Sequence, residues 1–221
     1  VKLFEELLVY DDGEPRSAPL NMAVDEALLE TAVCPVLRFY CWRGPALSFG
    51  YFGSYADVAD QRDEREIVRR WTGGGVVPHG NDLTYSVIIP ASHPFFTRSS
   101  LAIYSDLHEA IRRALKENGL EATLANSASP KLSEDCFANA VRADVMVEGR
   151  KIAGAAHRRS RAGVLHQGSI QEAGLPHRFR RDLASILCNS FEGRTLPEEL
   201  IDRASTIAQT KYGTPAWLTR R

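Results

Sequence analysis

Apolar residues recur along the chain with two different periods, and blocks of one period follow blocks of the other. Near-helical spacing marks residues 22–31, where Met22, Val24, Ala27, Leu28 and Leu29 share a face. Asn21 is placed to cap this helix, with Asp25 and Glu26 in a first turn whose dipole favours acids. Residues 1–10 alternate weakly and fit an edge strand or a short helix, and 11–19 reads as a polar turn. The β-rich runs 36–42 and 46–52, separated by Arg43-Gly44-Pro45, predict a pair of strands. The charged stretch 57–66 reads as a helix, 67–72 as a strand, 76–77 as a short extended piece and 83–89 as a strand ending at Pro90. A strong amphipathic helix follows a loop at 91–98, with Leu101, Tyr104, Leu107, Ile111 and Leu115 on one face. Ser99 or Ser100 caps it, and Asn118-Gly119 stops it.

A weaker strand is expected at 120–124 and a polar loop at 126–139. Residues 143–147, 151–157 and 163–171 predict a three-stranded meander, turned at Glu148-Gly149 and Ala162-Gly163. The remainder reads as helical. Leu183, Ile186, Leu187 and Phe191 form one face, and Leu200, Ile201, Ala204, Ile207 and Ala208 another, with Pro197 near the start. Strands come in runs with helices between the runs. That order implies an α+β fold with a mainly antiparallel or mixed sheet and flanking helices, expected as one domain over residues 1–221.

Composition adds mostly exclusions. At 44% hydrophobic, the chain has enough apolar material for a full core. A net charge of −1 gives no bias toward nucleic acid or a membrane surface. No apolar run approaches the roughly 20 residues that span a bilayer, and no leader pattern opens the chain. Cys34, Cys41, Cys136 and Cys188 lack metal-site spacing and fit a reducing cytoplasm. Cys34, Cys41 and Cys188 fall in apolar patterns and are expected in the core. His93, His108 and His177 are expected at the surface. His79 and His166 alone are too few for a metal site.

Three stretches carry chemistry. In RRWTGGGVVPHGNDLTYS, residues 69–86, the consecutive glycines Gly73, Gly74 and Gly75 let a ligand approach the main chain. Successive backbone N–H groups there make an anion-binding concavity. Arg69 and Arg70 add guanidinium forks suited to carboxylate or phosphate, and Thr72 and His79 add further polar groups. No Gly-Lys-Ser/Thr follows, so this is not a Walker A loop. In GRKIAGAAHRR, residues 149–159, Lys151 opens a strand whose small residues leave room for a ligand. GVLHQGSI, residues 163–170, brings His166 and Gly168.

These three motifs, in this order, resemble those of lipoate–protein ligases and the related octanoyltransferases, which share the biotin–lipoate ligase catalytic fold. The likeness runs from Asn21 to Gln171. It implies that Arg70, Thr72, Gly73, Gly74, Gly75 and His79 line the pocket for the acyl group. It implies that Lys151 contacts the acyl carbonyl, and in a ligase the adenylate phosphate as well. Asp144 would contact the nucleotide in a ligase, and His166 and Gly168 would lie along the same pocket. Val76, Val77, Ala153 and Ala155 are expected to line the slot for the acyl tail. An ammonium aimed at the carbonyl would stabilise the negative charge that develops during acyl transfer.

Cys136 separates the subtypes. Its Cys-Phe setting resembles one octanoyltransferase group in which a cysteine carries the acyl group as a thioester, with a nearby cation, here Lys151, lowering its pKa. The favoured expectation is therefore transfer of a lipoyl or octanoyl group, through Cys136, to a lysine of a lipoyl domain or a glycine-cleavage H-type protein. An acyl carrier protein would be the donor. The triple glycine points instead to an ATP- and Mg²⁺-dependent lipoate ligase. A catalytically silent acyl-binding protein is the remaining reading. No C-terminal accessory domain is expected after Trp217, nor any nucleic-acid or membrane partner.

Overall fold

The computed structural model describes residues 2–127, 140–171 and 174–220. Its strands are β1 (Phe4–Arg16), β2 (Val36–Trp42), β3 (Ala46–Phe49), β4 (Glu66–Arg69), β5 (Val77–His79), β6 (Leu83–Pro90), β7 (Thr123–Leu124), β8 (Val145–Val147), β9 (Arg150–Arg159), β10 (Gly163–Ile170) and β11 (Cys188–Arg194). Its α-helices are α1 (Ala18–Thr31), α2 (Ser100–Glu117), α3 (Arg178–Leu187), α4 (Glu198–Ile207) and α5 (Pro215–Leu218).

Among the described residues, eight strands form one mixed sheet in the order β11-β1-β2-β6-β10-β9-β8-β7. β1 runs parallel to both its neighbours, and the remaining pairings are antiparallel. Strand alternation sorts side chains to two cores. Leu37, Phe39, Tyr85, Val87 and Ile89 face α2 and α3. Val36, Tyr40, Trp42 and Ile88 face α1 and α4. Each fully buried Leu or Phe in these layers contributes about 1.5–3 kcal/mol.

The meander is as the pattern predicts, and so are α2 and its caps: the Ser99 hydroxyl accepts from the Ala102 N–H, and Gly119 takes φ 87°. Elsewhere long-range contacts override local pattern. β1 is interior and extends through the expected turn, because Asp12 is neutralised by Arg16 and Arg38 within the sheet. β2 and β3 do not pair with each other. The Arg43-Gly44-Pro45 bend carries the chain out of the large sheet into a three-stranded one, β4-β3-β5. The charged stretch 57–66 offers only Val58 to a core and forms no α-helix; single 3-10 turns lie at Tyr55–Asp57 and Ala59–Gln61, and Glu66 opens β4. Leu101 is 50% exposed in the first turn of α2, and Phe191 lies exposed on edge strand β11.

The cap of α1 is Ser17, not Asn21. Asn21 and Asp25 are fully buried, and neither sits at a helix end. Both meet Arg38 of β2. Arg38 donates to Asp25 Oδ1 at 2.8 Å, Asp12 Oδ2 at 2.8 Å, Asn21 Oδ1 at 2.8 Å and the Asn21 carbonyl at 3.1 Å. Asp25 also accepts from Ser86 Oγ of β6 and Gln167 Nε2 of β10, each at 2.8 Å.

Truncating Asp25 strands part of a buried guanidinium charge. Asp25→Ala is expected to destabilise by about 3 kcal/mol, the lower end for a broken buried pair because Asp12 remains. Arg112→Ala, which removes a surface pair with Glu109, is expected to cost under about 1 kcal/mol. Urea unfolding of the two variants checks the ordering, and equal midpoints would contradict it.

Candidate active site

A narrow slot lies between the small sheet and the α1 side of the large one. Met22, Tyr40, Trp42 and Val77 supply its apolar wall. Ser48, Arg70 and His79 enter from the small sheet and the loop after it. Thr84, Gln167 and Ser169 enter from β6 and β10, and Gly154, Ala155 and Ala156 of β9 close one side. Of the residues expected to hold the tail, Val77 and Ala155 are there. Val76 packs in the small-sheet core and Ala153 in the α2 core.

The polar residues in this wall have their hydrogen bonds satisfied from behind. Asp82 is the hub. Its Oδ2 lies 2.8 Å from His79 Nδ1 and accepts from Thr84 Oγ1 at 2.9 Å and Ser169 Oγ at 2.6 Å. Burial opposes its charge, yet the bonds from His79, Ser169 and Thr84 hold its carboxyl below the usual range. Trp42 donates to Thr84 Oγ1 at 2.8 Å and stacks on the His79 ring at 4.1 Å. With its polar atoms so paired, the wall presents ring faces and carbon to the slot.

The glycine loop is held from within. Arg70 donates to the carbonyls of Gly73 at 3.0 Å and Gly75 at 2.8 Å, and to Ser48 Oγ at 2.7 Å. Thr72 is fully buried and donates to Gln167 Oε1 at 2.8 Å, which ties the loop to the Asp25 network. The expected fork from Arg69 is not presented to a ligand. Its guanidinium is buried and donates to the carbonyls of Tyr51, Gly53, Trp217, Leu218 and Arg220.

Lys151 begins β9 with its side chain nearly buried, and its Nζ lies 2.8 Å from Asp144 Oδ2. Asp144 also accepts from the Val141 N–H at 2.6 Å and from the Tyr104 hydroxyl, which in turn accepts from the Ala155 N–H. Gly154 makes this possible. A Cβ there would stand 2.4 Å from Lys151 Cε and 2.8 Å from Nζ. Gly154 also lines the slot, so the ammonium lies against a residue of the slot wall, although Lys151 does not itself line it. Burial, with the Asp144 charge adding to it, drives the Tyr104 pKa far above the phenol range.

His166 does not line the slot. Strand alternation sends it to the opposite face from Gln167 and Ser169, among Tyr85, Tyr104, His108 and His157. Gly168 does line it, and the Tyr85 ring fills the space where its Cβ would be. His108, expected at the surface, is fully buried, with Nδ1 2.7 Å from the Ala143 carbonyl. Among the described residues, His108 Nε2, His157 Nδ1 and His166 Nδ1 are buried and have no hydrogen-bond partner. Cys188 is buried as expected, but Cys34 and Cys41 are only partly so. Cys136 lies outside the described residues.

Sequence reasoning passed over Ser48, Asp82, Gln167 and Tyr104. Asp82 carried a signal, an acid three positions after His79. Tyr104 was hidden in the apolar stripe of α2.

Residues 17–185 match the family model of the lipoyl protein ligase A/B catalytic domain. The octanoyltransferase LipM of Oceanobacillus iheyensis is 38% identical over 174 residues, covering 75% of this chain and 64% of that protein. Its counterpart in Anoxybacillus flavithermus is 35% identical, covering 94% of this chain and 83% of that protein. The chain thus spans less than two thirds of the Oceanobacillus protein, 64% of it. Among solved structures, the bi-partite lipoate protein ligase of Thermoplasma acidophilum, described with its E2 lipoyl domain, superposes with a TM-score of 0.66 at 21% identity. That alignment covers 99% of this chain and 97% of that one, and the shared fold agrees with the α+β expectation.

The buried histidines make stability depend on acid. Burial pushes His108 down from 6.5 to about 4 and His166 well below 6.5. Between about pH 6.5 and 4 the unfolded chain therefore binds more protons than the native one, and stability falls as pH falls through that window. A His108→Gln, His166→Gln double variant is expected to show a flatter loss in urea unfolding across that range. An unchanged slope would assign the acid sensitivity to other groups.

Proposed function

The chain belongs to the lipoyl protein ligase A/B catalytic-domain family, and on that footing we propose that it transfers an octanoyl group to a lysine of a lipoyl-accepting protein. The observation that carries this reading is the Lys151 ammonium, fixed by Asp144 beside a narrow slot whose polar wall is internally paired. A straight acyl chain suits such a slot, with its carbonyl directed at Lys151.

We assign the thioester route to Cys136 from the sequence. Its thiolate attacks the carbonyl of an octanoyl thioester on an acyl carrier protein, and the carrier thiol leaves. The amine of the acceptor lysine, from a lipoyl domain or an H-type protein, then attacks the Cys136 thioester. An amide forms, the thiolate is released, and the proton from the amine passes to solvent. In both steps Lys151 offsets the charge on the carbonyl oxygen. Arg70, Thr72 and the Gly73–Gly75 loop shape the slot, and Asp144 positions Lys151.

The ATP-dependent alternative keeps the same role for Lys151, and the run of three glycines, Gly73 to Gly75, keeps it as the second reading. It would need Mg²⁺, for which the described residues offer no group of three or more His, Cys, Asp or Glu. Asp144, the nearest carboxylate to Lys151, has both oxygens engaged by Tyr104, Lys151 and the Val141 N–H. We prefer the transferase because the octanoyltransferase LipM relatives are 35–38% identical to this chain, and we derive no step through the metal. No helix of the described residues is long and apolar enough to cross a membrane. The free thiols at Cys34, Cys41 and Cys188 suit the cytoplasm, where we place the enzyme.

Intact-mass measurement of an apo lipoyl domain tests the reading. One sample contains octanoyl-acyl carrier protein, the other lipoate, ATP and Mg²⁺. An octanoyl increment in the first is expected, with Lys151→Ala slowed by at least about 100-fold and Cys136→Ala inactive. A lipoyl increment in the second sample alone would establish the ligase. No increment in either would leave an acyl-binding protein. Full activity of Lys151→Ala would refute the site.

A further inference from the structure

Four side chains in and behind the slot wall are joined in a line whose direction is fixed while His79 is neutral. Arg70 Nη1 donates to Ser48 Oγ at 2.7 Å, Ser48 Oγ lies 2.6 Å from His79 Nε2, and His79 Nδ1 lies 2.8 Å from Asp82 Oδ2. A guanidinium only donates, and an ionised carboxylate only accepts. Asp82 therefore takes the Nδ1 proton of a neutral His79. That leaves Nε2 as an acceptor for the Ser48 hydroxyl, whose oxygen is free to accept from Arg70. The other nitrogen of Arg70 closes the line onto the Gly73 and Gly75 carbonyls.

We propose that Ser48, His79 and Asp82 are positioning residues that fix the Arg70 guanidinium, and through it the Gly73–Gly75 loop, in the shape that admits the acyl chain. The inference rests on the acyl-transfer reading and extends it to three residues that act without touching the reacting atoms. The connectivity is that of a hydrolytic Ser-His-Asp triad. Here the Ser48 oxygen is already taken as an acceptor by Arg70, and the residue is fully buried. Its role is therefore to hold a cation, not to attack a carbonyl.

The relay holds with neutral His79. A proton gained at Nε2 would give Ser48 two donors and turn its own hydrogen into an apolar slot, where it finds no partner. The groups that bias His79 are known. Burial and the Trp42 face disfavour the cation, Asp82 favours it, and Arg70 and Arg65 oppose it, with Arg65 Nη1 3.4 Å from the His79 carbonyl. The net effect sets its protonation below the usual 6.5. Affinity for an acyl chain is then present at neutral pH and lost as pH falls through that lower value.

Octanamide, an uncharged probe whose state does not change with pH, reads this by calorimetry between about pH 5 and 8. The wild type is expected to weaken toward acid. Ser48→Ala is expected to bind about tenfold more weakly at neutral pH, with no acid dependence left. His79→Gln keeps an acceptor for Ser48 and a donor for Asp82 without a titrating group. It also removes the ring that stacks on Trp42 in the slot wall, so it is expected to bind a few-fold more weakly than the wild type at neutral pH, less so than Ser48→Ala, and to lose the acid limb. In octanoyl transfer the same changes are expected in KM, with kcat within about threefold.

Wild-type affinity and acid dependence in Ser48→Ala would overturn the relay. If Ser48→Ala does not fold, an acid limb retained in His79→Gln would overturn it equally. Loss of acceptor-independent octanoyl-thioester hydrolysis on removing the Ser48 hydroxyl would make Ser48 a nucleophile and also refute positioning. A wild type that binds octanamide with the expected pH dependence but modifies no acceptor would sink the transfer reading and leave the relay standing.

Discussion

The guanidinium of Arg38, in the middle of the large sheet with no exposure to water, constrains most of what surrounds it. A charge in that position is tolerable only if most of its N–H groups find acceptors. The chain supplies two carboxylates and an asparagine, drawn from α1 and β1, to the two terminal nitrogens, and leaves Nε without a partner among the described residues. The consequence spreads outward. α1 must lie over the sheet with Asn21 and Asp25 facing down, and β1 must continue far enough to deliver Asp12. Asp25 has acceptor capacity left over, and Ser86 and Gln167 use it. Gln167 in turn receives Thr72. The loop at the slot is thus anchored in the same buried network that fixes the first helix.

The two faces of the sheet carry different polar systems. On the α1 side, the hydroxyl, imidazole and carboxylate groups of the slot wall are matched, so the slot is apolar in effect though polar in composition. On the α2 side, Tyr104 and the histidines are crowded together, and several ring nitrogens have no partner. The first arrangement gives a wall that a hydrocarbon can wet. The second keeps neutral imidazoles packed beneath the strand that carries Lys151.

Local pattern revealed whatever is decided by neighbours in sequence. The meander was legible from its turn residues, α2 from its stripe and its serine cap, and the glycine loop and Lys151 from their motifs. Residues whose role depends on distant partners were not. Asn21 and Asp25 look like a cap and a first-turn acid because their partner, Arg38, lies on a strand. Asp11 and Asp12 look like a turn because, Arg16 apart, the groups that neutralise them, Arg180 and Arg38, lie far along the chain. His108 looks like a surface residue because an α-helical period does not reveal that its face is roofed by β10. The β2–β3 bend could be located from Arg43-Gly44-Pro45, but whether the next strand stays in the same sheet is decided by β4 and β5, which come later.

Gly154 has one more implication. Lys151 runs along its own strand through space that a side chain at position 154 would occupy, and it ends on a carboxylate held by Tyr104 and a backbone N–H. A free lysine side chain surrenders roughly 1.5–2 kcal/mol of rotamer entropy when it is ordered. Here that loss falls on the folding equilibrium and is already settled before a substrate arrives. In the transfer proposed for this chain, the ammonium would meet developing charge as a fixed part of the scaffold, with the entropy of ordering it already lost on folding.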